Sequence, residues 1–436
     1  MRTGRRALLG AGAGAALLAG LGAAGVTWRD DRRADEVADA VDDDASARRG
    51  IQRTLDRRAA GVRGRDLNAL TATVVPGSQA LIDQQGTLLR NLAQVPLSGW
   101  DYRLRALDAF ALPPTQVDGA DRRAVRVQLA YRLTGFDATP VTADQYLGFT
   151  RIGSDWLLSG GPGESPGQSQ SPGVAELWDL GPVNVVQGRH CLVLGLRGAA
   201  GLQPLADEAD RAVPAVSAVW GDGWGQRTVL QVPLGLDQFG ALLGADPLGF
   251  SAIAAVTTGE LGAAEAGRTE RITVNPQVWD GLNALGRRVV TTHETTHVAT
   301  RAITEQWTPR WLSEGAANWT GYLGTGRTPA QIAPELAADL AAGRVPAQLP
   351  ADSAFDGSAP GLPQAYQQAW FACRCVVQRH GQPALVALYR AVAAAGGRSG
   401  QDAATDTALR GTLGVGLTAF TAQWRADLLA ALKPTS

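Results

Sequence analysis

The chain has 436 residues, more than one typical domain needs, so two folded units are the first expectation. Hydrophobic residues make up 45% of the sequence, enough for sizeable cores, and a formal net charge of -1 argues against a nucleic-acid-binding surface. The three cysteines, Cys191, Cys373 and Cys375, are too few for a disulfide framework. Buried free thiols are expected. A disulfide bond from Cys191 to one of the other two cysteines is the alternative if the protein is exported.

The N-terminus has the pattern of an export signal. Arg2, Arg5 and Arg6 precede an uncharged run from Ala7 to Trp28 that is rich in alanine, glycine and leucine. A run of ~20 residues can also span a bilayer as an anchor. We therefore predict a signal peptide or signal anchor over residues 1–28, with the remaining chain on the outer side of the membrane. The near absence of lysine, with abundant alanine and glycine, is typical of a high-GC bacterial genome.

The next stretch separates this segment from the first domain. Residues 29–44 are rich in aspartate and lack apolar periodicity, which predicts a solvated spacer. Ordered structure is expected from about residue 45. The patterns of residues 45–70 and 78–92 indicate two amphipathic helices.

Strands follow these helices. From Val125 to Leu133 apolar and polar residues alternate, which indicates a half-buried strand. Tyr146–Ile152, a Gly-Ser-Asp turn and Trp156–Leu158 predict a hairpin. Helices that lead into an antiparallel sheet of this kind resemble the nuclear-transport-factor-like (SnoaL-like) cone over residues 45–160. The resemblance implies a fold that can hold a small-molecule site, but no cluster of Asp, His or Tyr stands out here, so a structural or targeting module is expected.

A linker is predicted at residues 161–173. This stretch consists of turn-forming and polar residues, without a large apolar side chain that could pack in a core. The second domain then extends over residues 174–436.

The second domain begins with short strands and continues as helices, which is an α+β arrangement. The last predicted strand ends at Asn275, directly before the segment that carries the chemistry. This position suits a strand at the edge of the sheet, where an extended peptide could pair with it, and Asn275 is a candidate substrate contact. A strand with a purely structural role is the alternative. Strands are predicted at residues 183–196, 228–233, 252–258 and 271–275, a helix at 202–220, and further helices beyond 277.

The most informative segment of the chain reads His-Glu-Thr-Thr-His, with His293 and His297 on either side of Glu294. The chain has only four histidines, so this spacing is a specific signal. Residues i and i+4 of a helix share one face, so both imidazoles can reach one zinc ion while Glu294 stands beside it. The pattern predicts the zinc helix of a metallopeptidase. A chance match and an inactive, degenerate peptidase are the alternatives.

A zinc site with two histidines needs a third protein ligand and an open position for water. Glu314 follows His297 by seventeen positions, in the sequence Trp-Leu-Ser-Glu-Gly-Ala-Ala. The two motifs in this order resemble the glutamate zincins (gluzincins), and the resemblance covers most of residues 175–432. It implies that Glu314 completes a site for one Zn²⁺. It also implies that Asn318 takes the place of the residue that orients a zinc-bound histidine.

A candidate oxyanion donor lies further along the chain. Tyr366 stands near the start of a predicted helix that is similar to the tyrosine-bearing helix of the large zinc aminopeptidases. The resemblance implies that its phenol stabilises the oxyanion, whereas a core aromatic is the alternative. The aminopeptidases also carry a Gly-x-Met-Glu-Asn strand, but Met1 is the single methionine here, so aminopeptidase specificity is not expected. His190 and His380 lack a ligand partner at suitable spacing.

These patterns predict a two-domain α+β protein with a cone and a gluzincin-like zinc peptidase domain. Its substrate would be a peptide or protein, with Glu294 carrying the proton from the attacking water to the leaving amine. The alternative is a non-catalytic binding or scaffold protein of the cell envelope with a degenerate peptidase domain. A nucleic-acid partner is not expected, and membrane contact would run through residues 1–28 if they are uncleaved. The sequence leaves the oligomeric state and the choice between endo- and exopeptidase action open.

Overall fold

The computed structural model describes residues 30–112, 121–161, 174–258, 270–357, 359–397 and 400–432, with side chains from residue 43 onward. Over these residues the protein is a mixed α+β structure with two sheets. The predicted N-terminal signal and most of the predicted linker, residues 162–173, lie outside the described residues. In the described part of the chain, no helix combines the length and the apolar character that a membrane crossing requires.

The first helix is longer than the sequence pattern indicates. Helix α1 extends over Asp30–Gly64, so the predicted spacer is helical from residue 30 onward. Neither glycine nor proline occurs between Asp30 and Arg49, and alanine and arginine favour continuation of the helix. The boundary predicted at residue 45 therefore does not mark the start of ordered structure. The chain divides inside this helix into two compact units, Met1–Arg49 and Gly50–Ser436, and the other elements belong to the second unit.

The first sheet is antiparallel, with strands in the order β1-β2-β3-β4. It confirms the predicted strand and the predicted hairpin, whose turn places Gly153 at a φ of +60°, a conformation that favours glycine. The helices and strands of this part are α1, α2 (Leu67–Thr71), α3 (Gln79–Asn91), β1 (Leu97–Leu107), β2 (Arg122–Leu133), β3 (Val141–Ile152) and β4 (Asp155–Gly160).

The core of this sheet contains an aromatic side chain from beyond the predicted linker. Trp178 lies on the short helix α4 (Leu177–Leu180) and is fully buried. Its ring is 4.9 Å from that of Tyr131 and 5.5 Å from that of Trp100. The first helix after the linker therefore completes the core of the preceding sheet.

The second sheet is mixed, in the order β5-β6-β7-β9-β8. The single strand predicted at residues 183–196 is instead a hairpin, because the chain turns between Gly188 and Cys191 and the amides of Arg189 and His190 bind the Asp210 carboxylate. The strands are β5 (Asn184–Gln187), β6 (Cys191–Gly195), β7 (Thr228–Val232), β8 (Ala255–Thr258) and β9 (Arg271–Val274).

The edge strand was assigned wrongly from the sequence. Strand β9, which ends one residue before Asn275, lies inside the sheet because β7 pairs with one side of it and β8 with the other. Strand β8 is therefore at one edge of the described sheet, although it precedes β9 in the chain. Pairing order depends on contacts between distant segments, which a local pattern does not report.

Helices dominate the remainder of the chain. Their core contains Cys373 and Cys375, while Cys191 lies in the core of the second sheet. All three are free thiols, as predicted, and burial raises the pKa of Cys191 to about 12. The helices are α5 (Ala199–Trp220), α6 (Leu236–Leu243), α7 (Pro276–Gly281), α8 (Ala284–Thr300), α9 (Arg310–Tyr322), α10 (Pro329–Ile332), α11 (Pro334–Ala341), α12 (Leu362–His380), α13 (Gln382–Ala395), α14 (Gln401–Leu413) and α15 (Leu417–Leu432), with 3₁₀ turns at Pro247–Phe250, Arg301–Ile303 and Asp352–Phe355.

A buried ion pair connects the two sheets. The Arg271 guanidinium at the start of β9 donates to both carboxylate oxygens of Asp137, at 2.9 and 2.7 Å. The two side chains are only 8% and 0% exposed. Asp137 also accepts a hydrogen bond from the Leu133 amide at the end of β2. A bidentate pair of this kind fixes both position and orientation.

We expect Asp137→Ala to lower the free energy of unfolding by about 3–5 kcal/mol, because it leaves the buried Arg271 cation without its carboxylate. Asp101→Ala is the matched control, since Asp101 pairs with Arg63 at the surface with a side chain that is 71% exposed. The control change should cost no more than about 1 kcal/mol. Urea unfolding of both variants measures the difference, and equal losses would contradict the importance of the buried pair.

Candidate metal centre

The two histidines of the predicted zinc helix lie on α8, one turn apart. The helix begins after Asn283, whose side chain caps it by accepting a hydrogen bond from the Gly286 amide at 2.9 Å. The Nε2 atoms of His293 and His297 are 3.0 Å apart. The spacing of four residues therefore places both ring nitrogens at one point, as expected for residues i and i+4.

The Glu314 carboxylate reaches the same point from α9. Its Oε2 atom is 3.3 Å from His293 Nε2 and 3.4 Å from His297 Nε2. Ligands at about 2.0–2.1 Å from a tetrahedral zinc ion lie ~3.3 Å from one another. The three donor atoms therefore lie close enough together to hold one metal ion, and they form a candidate metal cluster of the described residues.

The electrostatics of the cluster reflect how closely these groups approach one another. Burial acts to lower the pKa of His293, but the hydrogen bond to Glu314 and the charges of Glu294 and Glu314 outweigh it, so that the pKa is raised. Burial acts to raise the pKa of Glu314, but His297 and His293 outweigh it and hold that pKa well below its usual range. Glu314 is therefore ionised, as a metal ligand must be.

Two glycines on α9 permit the close helix packing that brings Glu314 to the histidines. A Cβ atom at Gly321 would be 3.0 Å from the Val289 carbonyl oxygen of α8. A Cβ atom at Gly315 would collide with the Ala369 carbonyl oxygen of α12 and would be 2.9 Å from Cys373 Sγ. Glycine after Glu314 thus has a packing function in the Glu-Gly-x-Ala sequence.

Asn318, one turn after Glu314, orients one of the histidines. Its Oδ1 atom is 3.0 Å from His293 Nδ1, and its Nδ2 atom donates to the Tyr366 carbonyl oxygen at 3.4 Å. A hydrogen bond from Nδ1 selects the tautomer in which Nε2 is free to bind a metal. The structure therefore places Asn318 within hydrogen-bond distance of His293, and its role beside a bound metal stays a prediction.

Glu294 is held by a residue that the sequence did not single out. The Thr257 hydroxyl on edge strand β8 donates to Glu294 Oε2 at 2.6 Å and also contacts the Glu294 carbonyl oxygen at 3.2 Å. The Glu294 residue is only 7% exposed. A threonine in a short strand, thirty-seven residues away in sequence, carries no local signal of this contact.

Tyr366 lies beside the cluster near the start of α12. Its ring centroid is 6.2 Å from that of His293 and packs edge-on against Phe355 at 5.4 Å. No described residue hydrogen-bonds the Tyr366 hydroxyl. Burial raises the pKa of this phenol, so it stays protonated at neutral pH and can donate a hydrogen bond.

These residues border one cleft of about 520 Å³, which we call the α8 cleft. Edge strand β8 forms one wall of it, and the predicted ligands, Glu294 and Tyr366 are among the lining residues. Asn275 is not among them: it is fully buried, accepts a hydrogen bond from the Gln277 amide as the cap of α7, and donates to the Phe250 carbonyl. The structure thus gives Asn275 a capping role outside the cleft.

A scan against models of known protein families finds no match, and a search of curated proteins finds no similar sequence.

We expect Gly315→Ala to weaken zinc binding and to lower the free energy of unfolding by about 1–3 kcal/mol, because the new methyl group forces α9 away from α12. Gly411→Ala is the control, since Gly411 is exposed on α14 and its Cβ would meet no atom within 4 Å. That change should be neutral or stabilising by up to about 1 kcal/mol. Zinc titration and urea unfolding test both variants. Wild-type zinc affinity and stability in Gly315→Ala would refute the packing argument.

Proposed function

We propose that this protein is a zinc-dependent peptidase of the gluzincin type, in which His293, His297 and Glu314 bind one zinc ion. The observation that carries the proposal is the convergence of these three donor atoms, 3.0–3.4 Å apart, beside the buried Glu294 at the edge of the α8 cleft. Two imidazoles and one carboxylate are the donor set of many catalytic zinc sites. A zinc ion bound there would lower the pKa of a water molecule to ~7 and polarise the scissile carbonyl group.

The protein side chains supply the proton transfers. Glu294 accepts a proton from the attacking water and later delivers it to the leaving amine. Thr257 holds the carboxylate in place through its 2.6 Å hydrogen bond. Tyr366 donates a hydrogen bond from its phenol to the oxyanion that develops on the carbonyl oxygen.

The substrate would be a peptide in extended form. Strand β8 pairs with β9 on one side only in the described sheet, and its residues Ala255–Thr257 line the α8 cleft. An extended peptide can add to such an edge through main-chain hydrogen bonds. This geometry supports a role of β8 in aligning the scissile bond with Glu294.

The remaining parts of the proposal rest on the sequence. The N-terminal segment would export the chain of a high-GC bacterium to the outer side of the membrane, where it stays anchored or is released. The sheet β1–β4 with its helices would be a cone of structural or targeting function.

Glu294→Gln should reduce peptide hydrolysis by at least about 100-fold while zinc stays bound, because the amide cannot accept the proton. His293→Ala should lose zinc and activity together. Zinc content and hydrolysis of a peptide library, with and without chelator, measure both effects. Full activity of Glu294→Gln would refute the mechanism. A zinc-loaded wild type that hydrolyses no peptide would favour the non-catalytic scaffold instead.

Tyr366→Phe should reduce kcat by about 100-fold or more without loss of zinc, because it removes one donor to the oxyanion. The matched control is Tyr322→Phe, because Tyr322 lies on α9 and is not among the described residues of the α8 cleft. Its kcat should equal that of the wild type. Equal kcat in the two variants would show that Tyr366 only packs against Phe355 and His293.

A further inference from the structure

Arg301 extends the row of candidate functional side chains on α8. It follows His297 by four residues, as His297 follows His293, and it begins the 3₁₀ turn that continues the helix. Residues at this spacing lie on one face. Arg301 accordingly lines the same α8 cleft as the two histidines.

The charged Arg301 guanidinium makes few hydrogen bonds with the described residues. It donates one long hydrogen bond, from Nη2 to the Thr257 carbonyl oxygen at 3.4 Å. Its Nε atom is buried without a hydrogen-bond partner, and no described carboxylate lies within ion-pair distance of the group. A guanidinium has five N–H donors in a planar fork, so most of its binding capacity remains for a ligand.

The other arginine of the α8 cleft differs in this respect. Arg310 pairs with Asp356 at 3.1 Å and donates to the carbonyl oxygens of Phe355 and Asp352 at 2.8 and 3.2 Å. Its donors are used within the protein. Among the described residues that line the cleft, Arg301 is therefore the cation without a carboxylate partner.

We propose that Arg301 binds a carboxylate group of the substrate, so that the enzyme prefers peptides with an acidic group close to the scissile bond. This proposal rests on the proposed peptidase function. Four residues along a helix advance by about 6 Å, which equals about two residues of extended peptide. The carboxylate would thus belong to a residue within about two positions of the cleaved bond.

Two sources offer the same chemistry at this distance. The carboxylate is either the C-terminus of a short peptide or the side chain of an aspartate or glutamate. Both accept two parallel hydrogen bonds from a guanidinium. The first source would make the enzyme a carboxypeptidase or dipeptidase, and the second would make it selective for acidic sequences.

The contact with Thr257 links this site to catalysis. Arg301 donates to the Thr257 main chain, and the Thr257 hydroxyl holds the Glu294 carboxylate. A substrate carboxylate on Arg301 would therefore be anchored to the same edge-strand residue that positions the general base.

Matched peptides test the proposal. The two peptides of a pair differ by a single change. In some pairs Glu is replaced by Gln at the first or second residue on one side of the cleaved bond. In the other pairs the C-terminus is free in one peptide and amidated in the other. We expect the wild type to favour the carboxylate member of at least one pair by about 10- to 100-fold in kcat/KM, and Arg301→Gln to bring that ratio close to one. The pair that shows the preference identifies the source.

Glu305→Gln is the matched control, because Glu305 also lines the α8 cleft, four residues after Arg301, and loses a charge of opposite sign. It should keep the carboxylate preference. The proposal is overturned if the wild type shows no preference in any pair. It is also overturned if Arg301→Gln lowers kcat/KM equally for both members, since that result indicates a structural role at β8.

Binding distinguishes failure of this proposal from failure of the proposed function. Zinc-loaded Glu294→Gln should bind the carboxylate peptide about 10-fold or more tighter than its neutral counterpart, and adding Arg301→Gln should remove the difference. If the wild type cleaves peptides but neither assay shows a preference, the peptidase stands and the Arg301 site fails. If no peptide is cleaved, the binding difference still decides the Arg301 site by itself.

Discussion

The candidate metal site depends on the close packing of α9 between α8 and α12. Histidines on one helix provide two donors at one point by local geometry alone, but the third donor requires that a second helix approach at short distance. Gly321 and Gly315 permit that approach, since a side chain at either position would meet a backbone carbonyl oxygen. The Glu314 carboxylate is thereby held within 3.4 Å of both imidazoles. Its position between the two histidines keeps it ionised.

The same packing organises the groups around the cluster. Asn318 stands one turn after Glu314, so the helix that supplies the candidate third ligand also supplies the partner of His293. From the other side, edge strand β8 contributes Thr257, which holds Glu294 and accepts a hydrogen bond from Arg301. The α8 cleft therefore lies between strand β8 at the edge of the second sheet and the helices α8, α9 and α12. Strand β8 contributes Thr257, and the helices contribute the candidate ligands and Glu294. An extended peptide along β8 would contact both.

The sequence predicted much of the local structure and less of its arrangement. The strand at β2 and the β3–β4 hairpin followed from alternation and turn residues, which are local properties. The order of β8 and β9 did not, because pairing joins segments that are separated in the chain. The hairpin at residues 183–196 was missed, since its turn depends on Asp210 in α5 binding two backbone amides. Residues 30–44 lack the apolar periodicity from which a helix is predicted. Their helix propensity nevertheless lets α1 begin at Asp30, so this start was missed.

By itself, the sequence singled out the candidate ligands that the structure brings together. That His293 and His297 share one face follows from their i,i+4 spacing, which is a property of any helix. The resemblance to gluzincins added Glu314, Asn318 and Tyr366 as predicted site residues. Tertiary structure alone decided which strand forms the edge, that Asn275 caps a helix, and that Thr257 and Arg301 border the α8 cleft. It also decided that Arg271 and Asp137, far apart in the chain, join the two sheets. These contacts arise from long-range packing, and no local pattern encodes them.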